Sequence, residues 1–197
     1  MADVEPVAEA HMRIGLFAGS FNPAHGGHLH ISKTALERLK LDVVWWLLSP
    51  QNPLKDAKDY APYADRAQSA RDVIDSAKIE LCFFEQEQNL TYSVDTIRRL
   101  LELHGDVKFV WMMGADAFAG LDRWKDWQVI VETVPIAVFN RPDFASPALN
   151  SKAARLYAEF RLEEEDAALL AGKKAPAWCF INQPLDYSTS TDIRAQS

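Results

Sequence analysis

Two histidines, His25 and His28, stand three residues apart in a glycine-containing loop. Gly26 and Gly27 lie between them, so the backbone carries no side chains where the following helix is expected to begin. The first turn of a helix has unpaired N–H groups and the positive end of the helix dipole, and both favour a bound phosphate. If this turn is helical, the two rings can face one pocket. The segment therefore predicts a phosphate site with two imidazole groups.

The same residues leave two other interpretations open. The histidines could be incidental members of a glycine-rich turn, or they could bind zinc together with His30. A zinc site needs a third or fourth ligand with suitable geometry, and no cysteine or acidic residue lies nearby in the sequence. Two histidines that flank a glycine pair directly after a buried strand favour the phosphate site. A zinc hydrolase is therefore the weaker alternative.

Short apolar runs alternate with helical patterns along the chain. The runs predict strands at residues 13–18, 43–48, 79–84, 107–113, 133–139 and 177–181. Apolar residues at helical spacing predict helices at residues 29–39, 63–77, 93–103, 115–130 (two short helices broken near Gly120) and 151–170. Such alternation implies right-handed crossovers. We expect an α/β protein with a single Rossmann-like domain, a mostly parallel sheet of about six strands and helices on both faces.

Ligands of such folds bind beyond the carboxyl ends of the strands. Gly19 ends the first predicted strand, and Gly114 ends the fourth, where the missing side chain allows a ligand to approach the sheet edge. Asp116 can accept hydrogen bonds from ligand hydroxyls, although a helix-capping role is an alternative. Serine and threonine at a helix start, followed by an arginine within residues 190–194, would form a second anion cradle unless this tail is disordered.

Composition narrows the class of protein. The chain has 197 residues, 48% of them hydrophobic, and a formal net charge of −7, which suits one globular domain and disfavours a nonspecific nucleic-acid binder. No apolar run approaches the roughly 20 residues that cross a bilayer. Cys82 and Cys179 lie in apolar, strand-like segments and are expected to be buried thiols in a reducing cytoplasm. Residues 1–12 are expected to form a flexible leader.

The histidine loop resembles a signature of one enzyme superfamily. Residues 19–29 are similar to the [HT]xGH motif of nucleotidyltransferases, and within that superfamily they are most similar to the pattern GGxFDPxHxGH of nicotinate-nucleotide adenylyltransferases. Ser20 and Asn22 replace the usual glycine and aspartate, but both histidines are present. The resemblance runs over residues 14–194 and implies that residues 13–197 form a nucleotidyltransferase domain.

Further segments resemble motifs of the same family, in the same order. Lys55 is kept in the loop after the second strand, where Leu54 replaces a histidine, and Thr189 replaces the first serine of the last motif. The segments and the family motifs that they resemble are residues 49–55 with PxxxPPHK, 90–97 with SYTxDTL, 113–127 with GADxxxxLxxW, 140–142 with RPG, and 189–194 with SSTxIR.

The resemblance implies an adenylyltransferase of NAD biosynthesis that joins ATP and nicotinate mononucleotide to give deamido-NAD and pyrophosphate. His25 and His28 would be the catalytic residues, and Mg²⁺ would be held mainly by the ATP phosphates. The nicotinate nucleotide would meet Ser93, Trp124 and Lys125. The residues implied for ATP are Gly19, Ser20, Phe21, Lys55, Gly114, Asp116, Arg141, Ser190, Thr191 and Arg194.

Other functions remain open at this point. One is a different nucleotidyltransferase, such as a nicotinamide-mononucleotide, pantetheine-phosphate or cytidylyl transferase. A class I aminoacyl-tRNA synthetase has a similar histidine loop, but this chain is short and lacks a basic face. A nucleotide-binding regulator without turnover is disfavoured because both histidines are present. Nucleic-acid and membrane partners are not expected, an oligomer is possible, and the preference for the acid or the amide substrate is undecided.

Overall fold

The protein is described by a computed structural model over residues 6–50, 60–184 and 190–195. Within these residues the sheet has seven strands in the order β3-β2-β1-β4-β5-β7-β6, and every neighbouring pair is parallel. The strands are β1 Arg13–Gly19, β2 Val43–Leu48, β3 Ile79–Cys82, β4 Lys108–Gly114, β5 Ile136–Phe139, β6 Arg161–Leu162 and β7 Trp178–Ile181.

Helices connect the strands and cover the sheet. They are α1 Gly26–Arg38, α2 Tyr63–Val73, α3 Phe84–Glu87, α4 Ser93–Leu103, α5 Ala115–Ala119, α6 Trp127–Thr133, α7 Ala145–Leu149, α8 Lys152–Leu156 and α9 Ser190–Ala195. Turns of 3-10 helix occur at Leu121–Arg123, Ala158–Phe160 and Glu164–Gly172. No helix in the described part of the chain is both long and apolar enough to cross a membrane.

The core lies on both faces of the sheet. Side chains alternate across β1, so Leu16 packs with the cluster that includes α4 and α6, whereas Phe17 packs with the cluster that includes α1 and α2. All six residues of β2 are buried, which explains why this strand reads as a continuous apolar run. The predicted α/β fold, with a parallel sheet and helices on both faces, is confirmed.

The predicted long helix at residues 151–170 is wrong. Helix α8 ends at Leu156, and the chain then forms 3-10 turns and the short strand β6, which adds a seventh strand to the predicted six. The indole N–H of Trp178 donates to the carbonyl oxygen of Tyr157 at 2.8 Å, and β6 pairs with β7. Pairing along the sheet edge therefore overrides the local helical pattern.

Several predicted boundaries also shift. The helix predicted to residue 77 ends at Val73, the strand predicted to residue 84 ends at Cys82, and the fifth strand starts at Ile136 because α6 continues to Thr133. Ahead of β1, Ala8 packs against the core. The division into a leader of residues 1–12 and a domain of residues 13–197 stays a prediction.

Candidate active site

A cavity of about 880 Å³ opens where the carboxyl ends of β1 and β4 meet. It lies where a parallel sheet of this type binds its ligands. The sequence-predicted residues that line it are Gly19, Ser20, Phe21, His25, His28, Ser93, Gly114, Asp116, Trp124, Lys125, Arg141, Ser190 and Thr191. Lys55 lies outside the described residues. Arg194 is the one predicted site residue within the described chain that is not on the cavity wall.

The histidine loop turns directly into α1. After β1 the chain reverses through Phe21, whose φ of 44° is in the left-handed region. His25 then caps the helix, because its Nδ1 accepts the backbone N–H of Gly27 at 3.1 Å. The backbone N–H of His25 in turn donates to Nδ1 of His28 at 3.2 Å. The two histidines thus form a reciprocal capping box, a role more often filled by serine and glutamate.

This capping arrangement fixes the hydrogen-bonding role of each ring. A nitrogen that accepts an N–H bond carries no proton, so the neutral form of each histidine has its proton on Nε2. The ring centroids are 3.9 Å apart, and His25 is only 6% exposed. Each ring can therefore donate an Nε2–H bond to an anionic oxygen, and the helix start adds its own positive field.

Phe21 supports the histidines from the core. Its side chain is 1% exposed and stacks on Trp46 with ring centroids 4.7 Å apart. The His28 ring lies 4.9 Å from the Phe21 ring. The predicted contact between Phe21 and ATP would therefore depend mainly on its backbone.

Gly114, Asp116 and Arg141 form the wall at the end of β4. Arg141 Nε lies 3.7 Å from Asp116 Oδ1. A Cβ atom on Gly114 would contact Asp116 Oδ1 and approach Arg141 Cδ to 2.8 Å, so glycine is needed for both side chains to cross the strand end. Asp116 is the second residue of α5, and its carboxylate is paired with Arg141 rather than placed at the N-cap position.

Helix α9 docks on the histidine loop. The Ser190 hydroxyl donates to the Pro23 carbonyl oxygen at 2.8 Å, and Arg194 donates to the carbonyl oxygen of Asn22 and, at 3.3 Å, to Oγ1 of Thr191. Ser190 and Thr191 reach the same cavity as both histidines. The Arg194 guanidinium instead bonds to the backbone of the histidine loop, and its direct contact with ATP stays a prediction.

At the other end of the cavity lie Ser93, Trp124 and Lys125. Tyr92 occupies the N-cap position of α4, and Ser93 is the first helical residue. The Lys125 ammonium lies 3.3 Å from an Asp95 carboxylate oxygen and 4.3 Å from the centre of the Tyr92 ring. The Lys125 ammonium therefore already faces a carboxylate, which also lies 3.9 Å from Arg98. Trp127, three residues after Trp124, is buried.

Sequence reasoning missed two buried residues at this site. Glu85, between β3 and α4, lines the cavity and accepts a hydrogen bond from Thr96 Oγ1 at 3.0 Å. Burial raises the pKa of Glu85, while hydrogen bonds from Ser49 and Thr96 partly oppose that rise. Arg66 of α2 is buried behind the wall. In the sequence, Arg66 looks like an ordinary charged position of a helix and Glu85 like one of a loop, and no pattern distinguishes them.

The geometry does not favour a zinc site. His30 is not on the cavity wall, and the Nδ1 atoms of His25 and His28 are occupied by backbone N–H groups. Across residues 6–50, 60–184 and 190–195, no three histidine, cysteine or acidic side chains are grouped as metal ligands.

A parallel α/β sheet with a histidine-capped helix facing a nucleotide-sized cavity defines a nucleotidyltransferase class of site. In agreement with this, the family model described as cytidylyltransferase-like matches residues 16–196.

Relatives place the chain more narrowly. A protein of Ruegeria sp. (strain TM1040) is 43% identical over 93% of this chain and 96% of its own, and one of Caulobacter sp. (strain K31) is 45% identical over 94% and 98%. Both carry the name "Probable nicotinate-nucleotide adenylyltransferase". The chain therefore belongs to the nicotinate-nucleotide adenylyltransferases within the cytidylyltransferase-like family. The family expected from the sequence motifs is confirmed.

Solved structures agree on the fold. The nicotinic acid mononucleotide adenylyltransferase of Plasmodium falciparum, solved in complex with NaAD, has a TM-score of 0.70 to this chain. It covers 94% of this chain and 83% of its own, at 19% sequence identity. At that identity the similarity supports the fold alone.

Proposed function

We propose that the protein transfers the adenylyl group of ATP to the phosphate of nicotinate mononucleotide, and releases deamido-NAD and pyrophosphate. The observation that carries this proposal is the meeting of two Nε2–H histidines, Ser190 and Thr191 with Trp124 around one cavity. One side offers donors for phosphates, and the other offers an aromatic face for a ring. The volume and position of the cavity suit two nucleotides placed end to end.

The reaction needs no general base. The second pKa of a phosphate monoester is about 6, so the mononucleotide phosphate is already an anion at neutral pH. One of its oxygens attacks the α-phosphorus of ATP, the bond from that phosphorus to the bridging oxygen breaks, and the electron pair leaves with pyrophosphate. The protein's task is to align two anions and to stabilise the charge of the in-line transition state.

The histidine loop performs that task. His25 and His28 donate Nε2–H bonds to phosphate oxygens, so they act electrostatically rather than as proton carriers. The N-terminus of α1 adds its dipole to the same point. Ser190 and Thr191 hold the triphosphate, and Asp116 accepts hydrogen bonds from ribose hydroxyls.

The pyridine ring binds at the opposite end. Trp124 stacks on the ring, which is worth about 0.5–1.5 kcal/mol beyond the area it buries. Because the Lys125 ammonium already faces Asp95, the ring carboxylate is met by backbone N–H groups near Ser93 and Lys125 rather than by that ammonium. An anion gains more from such donors than a neutral amide does, and this favours the acid substrate.

Magnesium fits this site as a partner of the nucleotide. Since the described residues contain no group of three acidic, histidine or cysteine ligands, most of its ligands would be phosphate oxygens and water. When bound, Mg²⁺ supplies charge neutralisation to the triphosphate and to the departing pyrophosphate.

A pyrophosphate-release assay tests the proposal. Purified protein with ATP and Mg²⁺ is given nicotinate mononucleotide, nicotinamide mononucleotide or phosphopantetheine, and CTP replaces ATP in a further arm. Release that requires both ATP and a pyridine mononucleotide, and is fastest with the acid, is the expected result. Release without any mononucleotide, or faster release with phosphopantetheine or CTP, would overturn it.

A further inference from the structure

Arg66 is an arginine with almost no exposed surface and an unusual set of partners. It is 2% exposed, and within the described part of the chain its guanidinium donates only to backbone carbonyl oxygens. The Nη1 atom donates to Ser20 at 2.6 Å and to Ser49 at 2.9 Å, Nη2 donates to Pro50 at 2.9 Å, and Nε donates to Ala61 at 3.3 Å. One planar fork therefore joins the ends of β1 and β2 to the start of α2.

Within residues 6–50, 60–184 and 190–195, the charge of Arg66 has no acidic partner. No carboxylate of the described residues lies within ion-pair distance of it, and its other close neighbours are the rings of Tyr60 and Tyr63 at 5.2 and 5.0 Å. Burial lowers the pKa of Arg66, which reflects the cost of placing a cation there. Apolar side chains often stabilise such a position at least as well as an ion. Stability alone therefore gives a weak reason for an arginine.

Two of the four carbonyls that Arg66 binds belong to the wall of the active site. Ser20 and Ser49 both line the cavity, and the Ser49 N–H donates to the Gly19 carbonyl at 3.0 Å. Arg66 itself does not line the cavity.

Neighbouring bonds from the α2 region hold the same loop. Asn22 Oδ1 accepts the Ala61 N–H at 3.1 Å, and Ser69 Oγ accepts the Ala24 N–H at 3.1 Å. The loop that leads to His25 thus rests on α2, with the Arg66 guanidinium at its base.

We propose that Arg66 is a positioning residue for the nucleotide end of the active site. By fixing the Ser20 and Ser49 carbonyls relative to each other, it holds the loop that presents His25 and His28 to the triphosphate. This role rests on the proposed adenylyl transfer, because it assigns the histidine end to ATP. Among the described residues, no hydrogen bond or ring contact joins Arg66 to Ser93, Trp124 or Lys125, so we expect the ring end to change less than the histidine end.

Substitution by lysine separates positioning from charge. Arg66→Lys keeps the cation but loses the fork, since an ammonium cannot reach three loops with planar geometry. If only the positive field mattered, this variant would behave as the wild type does. If positioning matters, we expect kcat/KM for ATP to fall by roughly 10- to 100-fold, because displacements near 1 Å have effects of that size.

The experiment compares Arg66→Lys and Arg66→Met with a matched control, Arg38→Lys. Arg38 also has a close polar partner, because its guanidinium forms an ion pair with Glu164 at 2.9 Å. Neither Arg38 nor Glu164 lines the cavity. Thermal unfolding and kinetics with both substrates are measured on the folded fraction. We expect the Arg66 variants to lose kcat/KM for ATP while KM for the mononucleotide stays within about twofold, and the control to keep both. Wild-type kinetics in Arg66→Lys, or equal rises in both KM values, would overturn the proposal.

Two further measurements keep the test decisive. If Arg66→Met does not fold, Arg66→Ala is assayed with millimolar guanidinium, which is expected to restore part of kcat/KM for ATP while methylammonium does not. No rescue in a folded Arg66→Ala protein would count against positioning by the fork.

Calorimetric binding of MgATP without any mononucleotide tests Arg66 separately from the reaction. Weaker ATP binding in Arg66→Lys supports the role even if nicotinate mononucleotide proves to be the wrong acceptor, and unchanged binding opposes it.

Discussion

The two ends of the cavity differ in how firmly the protein holds them. At the histidine end, which comprises residues 19–28 with Arg66, the polar groups described above are bonded to the chain itself: His25 to Gly27, His28 to His25, and Arg66 to four carbonyls. At the ring end, which comprises Ser93, Trp124 and Lys125 with their neighbours, Tyr92 is 38% exposed. One end is fixed by hydrogen bonds and the other offers open aromatic surface.

This difference assigns separate tasks to the two ends. Donors that are held before the substrate arrives need no reorganisation during reaction, so they lower the barrier of the chemical step. Aromatic surfaces that are partly exposed gain mainly from covering the substrate, which lowers KM without changing kcat. Substitutions of His25 or His28 should therefore act on kcat, and those at the ring end on KM.

The largest effect is expected from His28→Ala. Loss of one preorganised donor typically lowers kcat by about 10²–10³-fold, whereas both KM values should change little. The matched control is His30→Ala, two residues further along α1 and away from the cavity wall. Steady-state kinetics of both variants check this, and unchanged turnover in His28→Ala would remove that residue from the chemistry.

Trp124→Ala should show the opposite pattern. We expect KM for nicotinate mononucleotide to rise about tenfold through loss of stacking, with a smaller change for ATP. Trp127→Phe, at a buried tryptophan three residues later, serves as control and should alter thermal stability but not either KM. Equal KM increases for the two substrates in Trp124→Ala would contradict its assignment to the ring.

Gly114→Ala tests the wall at the end of β4. Its φ of −72° suits alanine, so the free energy of unfolding should change by less than about 1 kcal/mol. The new Cβ would displace the Asp116 and Arg141 side chains, however. We expect this displacement to weaken ATP binding by roughly 0.5–1 kcal/mol, which corresponds to a few-fold rise in KM for ATP. The control is Gly172→Ala, where a Cβ would meet nothing within 4 Å. An unaltered KM for ATP would show that neither side chain is needed there.

The smallest effect concerns pH and Glu85, at the base of the cavity. The pKa of Glu85 is higher in the folded protein than its ordinary value of 4.5. The carboxyl therefore makes its full contribution to stability below pH 4.5, and this contribution is lost as the pH rises through the folded pKa. The glutamine side chain of the Glu85→Gln variant does not titrate, so its free energy of unfolding relative to wild type should increase with pH over that window. Urea unfolding from pH 4 to pH 8, with exposed Glu87→Gln as charge control, measures this. A difference independent of pH would exclude the raised pKa.

The histidine end could be predicted from sequence because its signal is local. Glycines, histidines and the preceding apolar run lie within residues 13–28, and a capped helix start follows from them directly. The apolar run of β2 likewise predicts a strand buried on both faces. Local patterns of this kind fix the fold class and the place of the cavity.

Long-range contacts were not predictable in the same way. The break at residues 157–162 depends on Trp178, about 20 residues away along the chain and adjacent across the sheet. Arg66 and Glu85 acquire their roles from carbonyls and hydroxyls of distant segments. Arg194 was assigned to a phosphate, yet in the structure it bonds to Asn22, whose carbonyl no sequence motif marks.

The most direct test of the separation between the two ends is the double variant His28→Ala/Trp124→Ala. Full two-substrate kinetics would be compared with those of the single variants. If the two ends act independently, the fold losses in kcat/KM of the two single variants should multiply in the double variant. Expressed as free energies, the two losses should then add to within roughly 0.3–0.5 kcal/mol. A double variant no worse than His28→Ala alone would contradict the account, because the ring end would then act only through the histidines.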